Sequence, residues 1–334
     1  MIGMSSEGMT YLAFDVGGTK IASGFVTLPG GESVSAGGGW TPRVEARCEI
    51  PTEASRGGDD IRKRLTAFAS RQIIRAHDEG VHIRGIGIAA AGVPDSVTGV
   101  IVSATDILPG WRGQRIYDAF AEVTNLPVYM VGDVGAHGLG EAGYGAGRGH
   151  GIVLSIGVGT GIGGAIVVDG ALFSGARGVA GHAGHVPSAL GRGFVCSCGT
   201  RDGHIEPVAS GTGLRDLYNS RCGSTAEPVR DGAQVAARAA AGEPLAVRTI
   251  EDSARALGEC VGGMGNLIDP DVIVVSGSVA KAGPLWWNAL RAGFEDSALQ
   301  LVRSTLLVKG ELGGSAPLIG AAAAARRHME QWRE

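Results

Sequence analysis

The chain has 334 residues, of which 44% are hydrophobic and 19% charged, with 58 glycines and a net charge of −4. That length exceeds a typical single core, so two domains are expected, and the charge balance argues against a nucleic-acid or anionic-membrane surface. No apolar run is long enough to span a bilayer, and Met1–Thr10 lacks the basic and apolar regions of a secretory signal, so the cytoplasm is the expected compartment.

Tyr11–Phe14 reads as a short strand running into Asp15-Val16-Gly17-Gly18-Thr19-Lys20, and Ile21–Val26 follows as a second strand. The glycines therefore form a hairpin tip. Backbone N–H groups and the Thr19 hydroxyl suit phosphate oxygens there, with Asp15 suited to Mg²⁺ or its waters. A plain Gly-Gly hairpin with a capping Asp is the competing reading. Leu28–Glu45, rich in Gly, Ser and Pro, reads as loops or ragged strand ends.

Asp59–Glu79 has helical spacing, with Ile61, Leu65, Phe68, Ile73 and Ile74 marking an apolar face. Ile86–Ala90 is a strand that enters the turn-rich segment Ala91-Gly92-Val93-Pro94-Asp95. Asp106–Trp111 is a loop with polar and aromatic residues, its tryptophan better suited to packing than to stacking on a ligand. Val128–Val131 is a further strand, ended by Gly132-Asp133 and followed by the helical run Val134–Gly145. Asp133 at this junction reads either as a helix cap or as a carboxylate aimed off the end of a sheet.

The richest stretch is Gly151–Ser210. The buried strand Ile152–Ile156 feeds Gly157-Val158-Gly159-Thr160-Gly161-Ile162-Gly163-Gly164, and Ala165–Val168 returns to the turn Asp169-Gly170. Glycines between strands let a backbone approach phosphate closely. Then come Gly178–His185, Cys196-Ser197-Cys198-Gly199, Gly203-His204-Ile205-Glu206 and Ser210-Gly211. The five cysteines (Cys48, Cys196, Cys198, Cys222, Cys260) are an odd number, and the tight C-x-C suits a metal better than a disulfide framework. Arg248–Ile268 is a helix stopped by Asp269-Pro270. Val272–Val275 is a buried strand ending in Ser276-Gly277-Ser278, and Ala316–Gln331 is an alanine-rich closing helix.

Two glycine phosphate loops on strand hairpins, with a strand-borne Asp between them, resemble the ATPase fold shared by actin, hexokinase and the heat-shock chaperones. Within that class the chain resembles the ROK sugar kinases over nearly its whole length. Asp15–Lys20 is similar to the family's first phosphate motif and Gly157–Gly164 to its second. Asp133 falls on the family's catalytic base. Gly184-His185, Cys196-x-Cys198-Gly199 and Glu206-x-x-x-Ser210-Gly211 are similar to its sugar and zinc segment, and Asp269-Pro270 with Ser276-Gly277-Ser278 to its adenosine motif.

The resemblance implies a two-lobed, ribonuclease H-like α/β fold with a cleft between the lobes. Residues 1–128, joined by the helix 316–334, would form a smaller lobe and residues 129–315 a larger one. It implies ATP and Mg²⁺ on Asp15, Gly17, Gly18, Thr19, Lys20, Gly159, Thr160, Gly161 and Gly277. Gly92, Asp106, Gly132, His182, His185 and Glu206 would lie on the sugar side, Zn²⁺ on the segment 185–204, and a homodimer is the implied assembly. Four positions depart from the family pattern. Gly132 stands where Asn is usual, His182 where Glu is usual, and His204 replaces a cysteine with one extra residue before it. Ser276-Gly277 replaces a glycine pair. His182 is similar to the residue in bacterial N-acetylmannosamine kinases, which leans towards an N-acylhexosamine.

Sugar phosphorylation needs an aligned hydroxyl, a base and neutralisation of the γ-phosphate. Asp133 is the expected base, and Glu206 and His185 the expected hydroxyl partners. His185 is equally a ligand candidate: Cys196, Cys198, His204 and His185 would make a Cys₂His₂ tetrahedron with no open position, a structural site ordering the loop ahead of Glu206. A repressor on the same fold would need a helix-turn-helix segment, and only Met1–Thr10 precedes the first motif. A catalytically silent sugar binder would have no need of Asp15, Asp133 and both glycine loops. An ATP-dependent sugar kinase acting at the 6-hydroxyl is the expectation, with glucokinase as the alternative.

Overall fold

The first strand lies in the middle of the first sheet and is buried on both faces, with Tyr11, Leu12, Ala13 and Phe14 buried in succession. In β1 (Met9–Val16), Leu12, Phe14 and Val16 share a fully buried core with Ile61, Leu65 and Phe68 of α1 (Gly58–Asp78), where the Phe14 and Phe68 rings meet edge-on at 5.8 Å. β1 pairs antiparallel with β2 (Lys20–Leu28), which pairs antiparallel with β3 (Arg43–Pro51). On its other side β1 runs parallel to β4 (Ile83–Ala90). The computed structural model describes residues 8–30, 41–105, 107–200, 202–223 and 226–331, so Asp106 lies outside the described residues. β3 takes in Arg43–Glu45, the end of the stretch expected to form loops or ragged strand ends, and is an exposed edge whose burial alternates residue by residue.

A short hairpin of β5 (Val93–Asp95) and β6 (Val100–Ser103) and the helix α2 (Ile116–Ala121) precede β7 (Val128–Gly132). Trp111 is fully buried and donates its indole N–H to the Ala91 carbonyl at 3.0 Å, a packing role. β7 pairs parallel with β4 and completes a sheet ordered β3-β2-β1-β4-β7. This corrects the expected division, in which the strand at 129–131 went with the C-terminal lobe. Its backbone pairs with Ile86–Ala90, and backbone pairing decides sheet membership. α3 (Asp133–Tyr144) leaves β7 directly.

The second sheet begins with the hairpin β8 (Ile152–Val158) and β9 (Ile162–Val168), after which β10 (Ala171–Leu172) is a two-residue strand. A small hairpin of β11 (Pro187–Arg192) and β12 (Asp202–His204) leads to α4 (Glu206–Ala209), α5 (Gly211–Cys222), α6 (Gly232–Ala240) and α7 (Pro244–Ile268). β13 (Val272–Ser276), α8 (Pro284–Ser297), β14 (Leu306–Lys309) and α9 (Ala316–Gln331) close the chain. β13 is parallel to both β8 and β14, and every one of its residues is buried. α7 and α8 cover this sheet through a core that includes Ile250, Leu257, Val261, Trp286 and Leu290.

The chain divides into two units. One comprises the N-terminal part up to Gly149, the segment Gly170–Ala180 and the part from Gly314 on; the other comprises His150–Asp169 and Gly181–Gly313. The expected boundary at 128/129 therefore moves to 149/150, and the N-terminal unit is the longer of the two. α9 belongs to this N-terminal unit and packs on α3. A β-carbon on Gly320 would stand 1.7 Å from the Ala136 carbonyl oxygen, so the glycine and alanine content of α3 and α9 reflects close helix contact. Among the described residues no helix is long and apolar enough to cross a membrane.

Candidate functional site

In the N-terminal unit, Gly17, Gly18 and Thr19 are the tip between β1 and β2, as expected. The Gly17 N–H donates to the Lys20 carbonyl at 3.0 Å, and Thr52 braces the tip from outside. The Thr52 hydroxyl donates to the Gly17 carbonyl at 2.7 Å and its N–H to the Thr19 carbonyl at 3.0 Å. Lys20 is exposed and pairs with Glu49 of β3 at 2.6 Å. Asp15 lies on β1, its backbone in register with Ala89 of β4. Burial pushes its carboxyl up to about 6 against the pull of Lys20 and Arg47.

Register relates Asp15 to Asp133. Ala89 faces Val131 across the next ladder and Ala90 faces Gly132, so Asp133 follows the same end of the sheet two strands away. At roughly 4.8 Å per strand spacing the two backbones stand about 10 Å apart across the sheet. The helix cap is Gly132, not Asp133, which is the first residue of α3. Asp133 is largely buried. Burial pushes its carboxyl up to about 6; its bond from the Val134 N–H, 2.9 Å, opposes that rise and the Asp15 charge adds to it. A carboxylate with that value is ionised at neutral pH and still able to take a proton.

Gly92 ends the turn after β4 with φ +91°. At Gly132 a β-carbon would stand 3.3 Å from the Gly92 carbonyl oxygen and 3.8 Å from Pro94 Cδ.

The C-terminal unit carries the second glycine tip, Gly159-Thr160-Gly161, between β8 and β9. The Gly159 N–H donates to the Gly161 carbonyl at 2.9 Å, and the Gly159 carbonyl accepts the Gly211 N–H at 2.7 Å. Gly277 follows β13 at φ +102°, where a β-carbon would stand 2.2 Å from the Val158 carbonyl oxygen. A cavity of about 500 Å³ lies against this tip. Gly159, Thr160, Gly211 and Ser278 line it together with the cations Arg215, Arg230 and Lys281. The cations escaped the sequence reading because they come from three separate elements. The one local signal was Asp231-Gly232 opening α6, where Asp231 accepts the Gln234 N–H at 2.9 Å.

The same unit gathers His185, Cys196, Cys198 and His204, whose donor atoms all lie within 4.8 Å of one another. Cys196 Sγ is 3.3 Å from His185 Nδ1, and Cys198 Sγ is 3.4 Å from His204 Nδ1. Tetrahedral zinc, with Zn–S of about 2.3 Å and Zn–N of about 2.0 Å, places neighbouring ligand atoms roughly 3.3–3.8 Å apart. The donor set and its spacing therefore fit the ion. Burial lowers the pKa of His185 and so favours the neutral imidazole that ligates metal. His182 is exposed, its ring 6.1 Å from that of His185, and is not one of the four.

Glu206 opens α4 two residues after His204. Its Oε2 accepts the Ile162 N–H at 2.9 Å, and its Oε1 accepts the Ser197 hydroxyl at 2.5 Å. The expected sugar partner thus bonds the end of the glycine tip and the loop between the two thiols. Sequence reading missed Ser197 because a serine between two candidate ligands carries no signal of its own.

The family described as "ROK family" matches residues 11–328. The glucokinase of Halalkalibacterium halodurans is 31% identical over 321 residues, 93% of each chain. The N-acetylmannosamine kinase of Shigella flexneri is 31% identical over 275 residues, 82% of this chain and 84% of that one. The crystal structure of the ROK hexokinase from Thermus thermophilus superposes with a TM-score of 0.80 at 30% identity, covering 97% of this chain and all of that one.

Proposed function

The chain belongs to the ROK family, and on that premise we propose that it transfers the γ-phosphoryl group of ATP to the 6-hydroxyl of a hexose or N-acylhexosamine. The observation that carries this reading is Asp133. It is a largely buried carboxylate at a sheet end, raised to about 6, in line with the strand that carries Asp15 and the first glycine tip. Asp133 accepts the proton of the attacking hydroxyl. Gly17, Gly18 and Thr19 offer backbone and hydroxyl donors to phosphate oxygens, and Asp15 would hold Mg²⁺ or its waters, whose charge would neutralise the phosphates. In the other unit Gly159, Thr160 and Gly161 serve the phosphates, and the 500 Å³ cavity beside them is of a size to take the nucleoside, with Lys281 and Arg230 facing its charge.

His185, Cys196, Cys198 and His204 would hold Zn²⁺, which with four protein donors supplies structural order only. His185 and Glu206 are the proposed partners of sugar hydroxyls, with His182 beside them. The lean towards an N-acylhexosamine, ManNAc ahead of GlcNAc, rests on His182 and Gly132. Glucose is the second reading, favoured by the glucokinase relative that matches 93% of the chain. ATP as donor fits a cytoplasmic setting, and a homodimer is the assembly we propose, with sedimentation as its check. The deciding experiment is a coupled ADP-release screen with Mg-ATP over glucose, GlcNAc, ManNAc, mannose, allose and fructose. ADP release with none of them overturns the kinase reading.

A further inference from the structure

The glycine tip Gly159–Ile162 depends on bonds from one short stretch of chain. Its Gly159 carbonyl accepts the Gly211 N–H at 2.7 Å, and its Ile162 N–H is taken by Glu206 Oε2 at 2.9 Å. Both partners lie in the segment Glu206–Gly211. The fit around Glu206 is close: a β-carbon on Gly161 would stand 2.7 Å from Oε2, and one on Gly184 would stand 3.2 Å from it. The other oxygen of the same carboxylate is tied at 2.5 Å to Ser197, which sits between Cys196 and Cys198. One carboxylate therefore joins the phosphate-facing tip to the loop that the His/Cys cluster closes.

We propose that Ser197 and Glu206 are positioning residues that relay the order of the His/Cys loop into the second glycine tip, so that metal in the cluster tightens the hold on a nucleoside triphosphate. The inference rests on the reading of that tip as a phosphate site. The physical argument is one of linkage. Metal across four donors fixes Cys196 and Cys198 and with them the Ser197 hydroxyl between them. The hydroxyl fixes the Glu206 carboxylate in the rotamer that holds the Ile162 N–H. Without metal the loop is free to carry Ser197 away, and the tip loses one of its two outside anchors. A tip ordered in advance binds phosphate more tightly because less ordering remains to be done on binding.

Ser197 is exposed and is none of the four metal donors, so it can be changed without removing a ligand. The test is equilibrium titration of a fluorescent ATP analogue, without sugar, against metal-loaded and chelator-stripped protein, with zinc content measured on each sample. Ser197→Ala should weaken nucleotide binding roughly 3–10-fold with zinc content unchanged, as expected for loss of one charge-assisted hydrogen bond. Ser197→Thr, which keeps the hydroxyl, should restore it. Stripping the metal from the unmodified protein should produce a similar loss. Stripping it from Ser197→Ala should add little, because the relay is already cut. Equal affinity in loaded and stripped protein, additive losses, or a chain that takes up no zinc would overturn the inference while leaving the kinase reading in place. A protein that binds no nucleotide in any form overturns both.

Discussion

Gly132 presents its bare α-carbon to the carbonyl oxygen of Gly92, and a β-carbon would close that gap to 3.3 Å. The family's usual side chain at this position is thus absent from a place with little room for it. Gly132→Asn should lower stability by about 1 kcal/mol, as mild overpacking does, and Gly132→Ala should account for most of that loss. Urea midpoints of the two variants against the parent provide the measurement. An unchanged midpoint for both would mean that the Gly92 carbonyl moves aside without penalty.

Asp133→Asn keeps the shape of the side chain and removes its basicity. Turnover should fall roughly 10²–10⁴-fold with nucleotide binding retained. In the unmodified protein kcat should decline as pH falls through about 6, since the protonated carboxyl cannot accept the hydroxyl proton. Near-normal turnover of the variant would move the base elsewhere.

Stability should show the opposite sign. The folded state holds the Asp133 proton more tightly than the unfolded chain, with the carboxyl raised from 3.8 to about 6. Its contribution is therefore fully present below about pH 4 and lost as pH rises through about 6. Asp133→Asn removes this penalty, so the variant should be more stable than the parent above pH 6, by up to roughly 3 kcal/mol, with the advantage gone near pH 4. Urea unfolding at pH 4, 5, 6 and 8 would show whether the gap opens in that order.

Gly277→Ala meets two obstacles together, a φ of +102° and a β-carbon 2.2 Å from the Val158 carbonyl oxygen. The loop after β13 must move away from the second glycine tip. The variant should lose at least about 2 kcal/mol of stability, and the survivors should bind nucleotide weakly. Parallel denaturation and nucleotide titration would test this, and a stable variant with full affinity would refute it.

Substrate choice is tested by His182. His182→Glu restores a carboxylate acceptor and should raise kcat/KM on glucose relative to ManNAc, because a mismatched polar partner costs roughly 1–3 kcal/mol. A clear glucose preference in the unmodified protein would make glucose the substrate and end the N-acylhexosamine reading.

Much of this protein is local, and what is local was legible in the chain. Helix α9 spans Ala316–Gln331 as its composition predicted, and α3 follows Gly132 because an apolar strand ends there in a helix-compatible run. Both glycine tips lie between strands that are neighbours in sequence, where hairpin pairing needs nothing from the rest of the fold. The His/Cys donors come from one stretch of 20 residues, so their meeting was expected before their spacing was known. Long-range pairing decided the rest. The apolar run 128–131 reads as a strand without saying which ladder receives it, and pairing with β4 set Asp133, where the chain leaves β7, at the end of the sheet that carries Asp15. The cations Arg215, Arg230 and Lys281 at the cavity beside Gly159 come from three separate segments, and only packing sets them against the glycine tip. The bonds of Glu206 to Ile162 and Ser197 depend on a side-chain direction, which residue spacing does not encode.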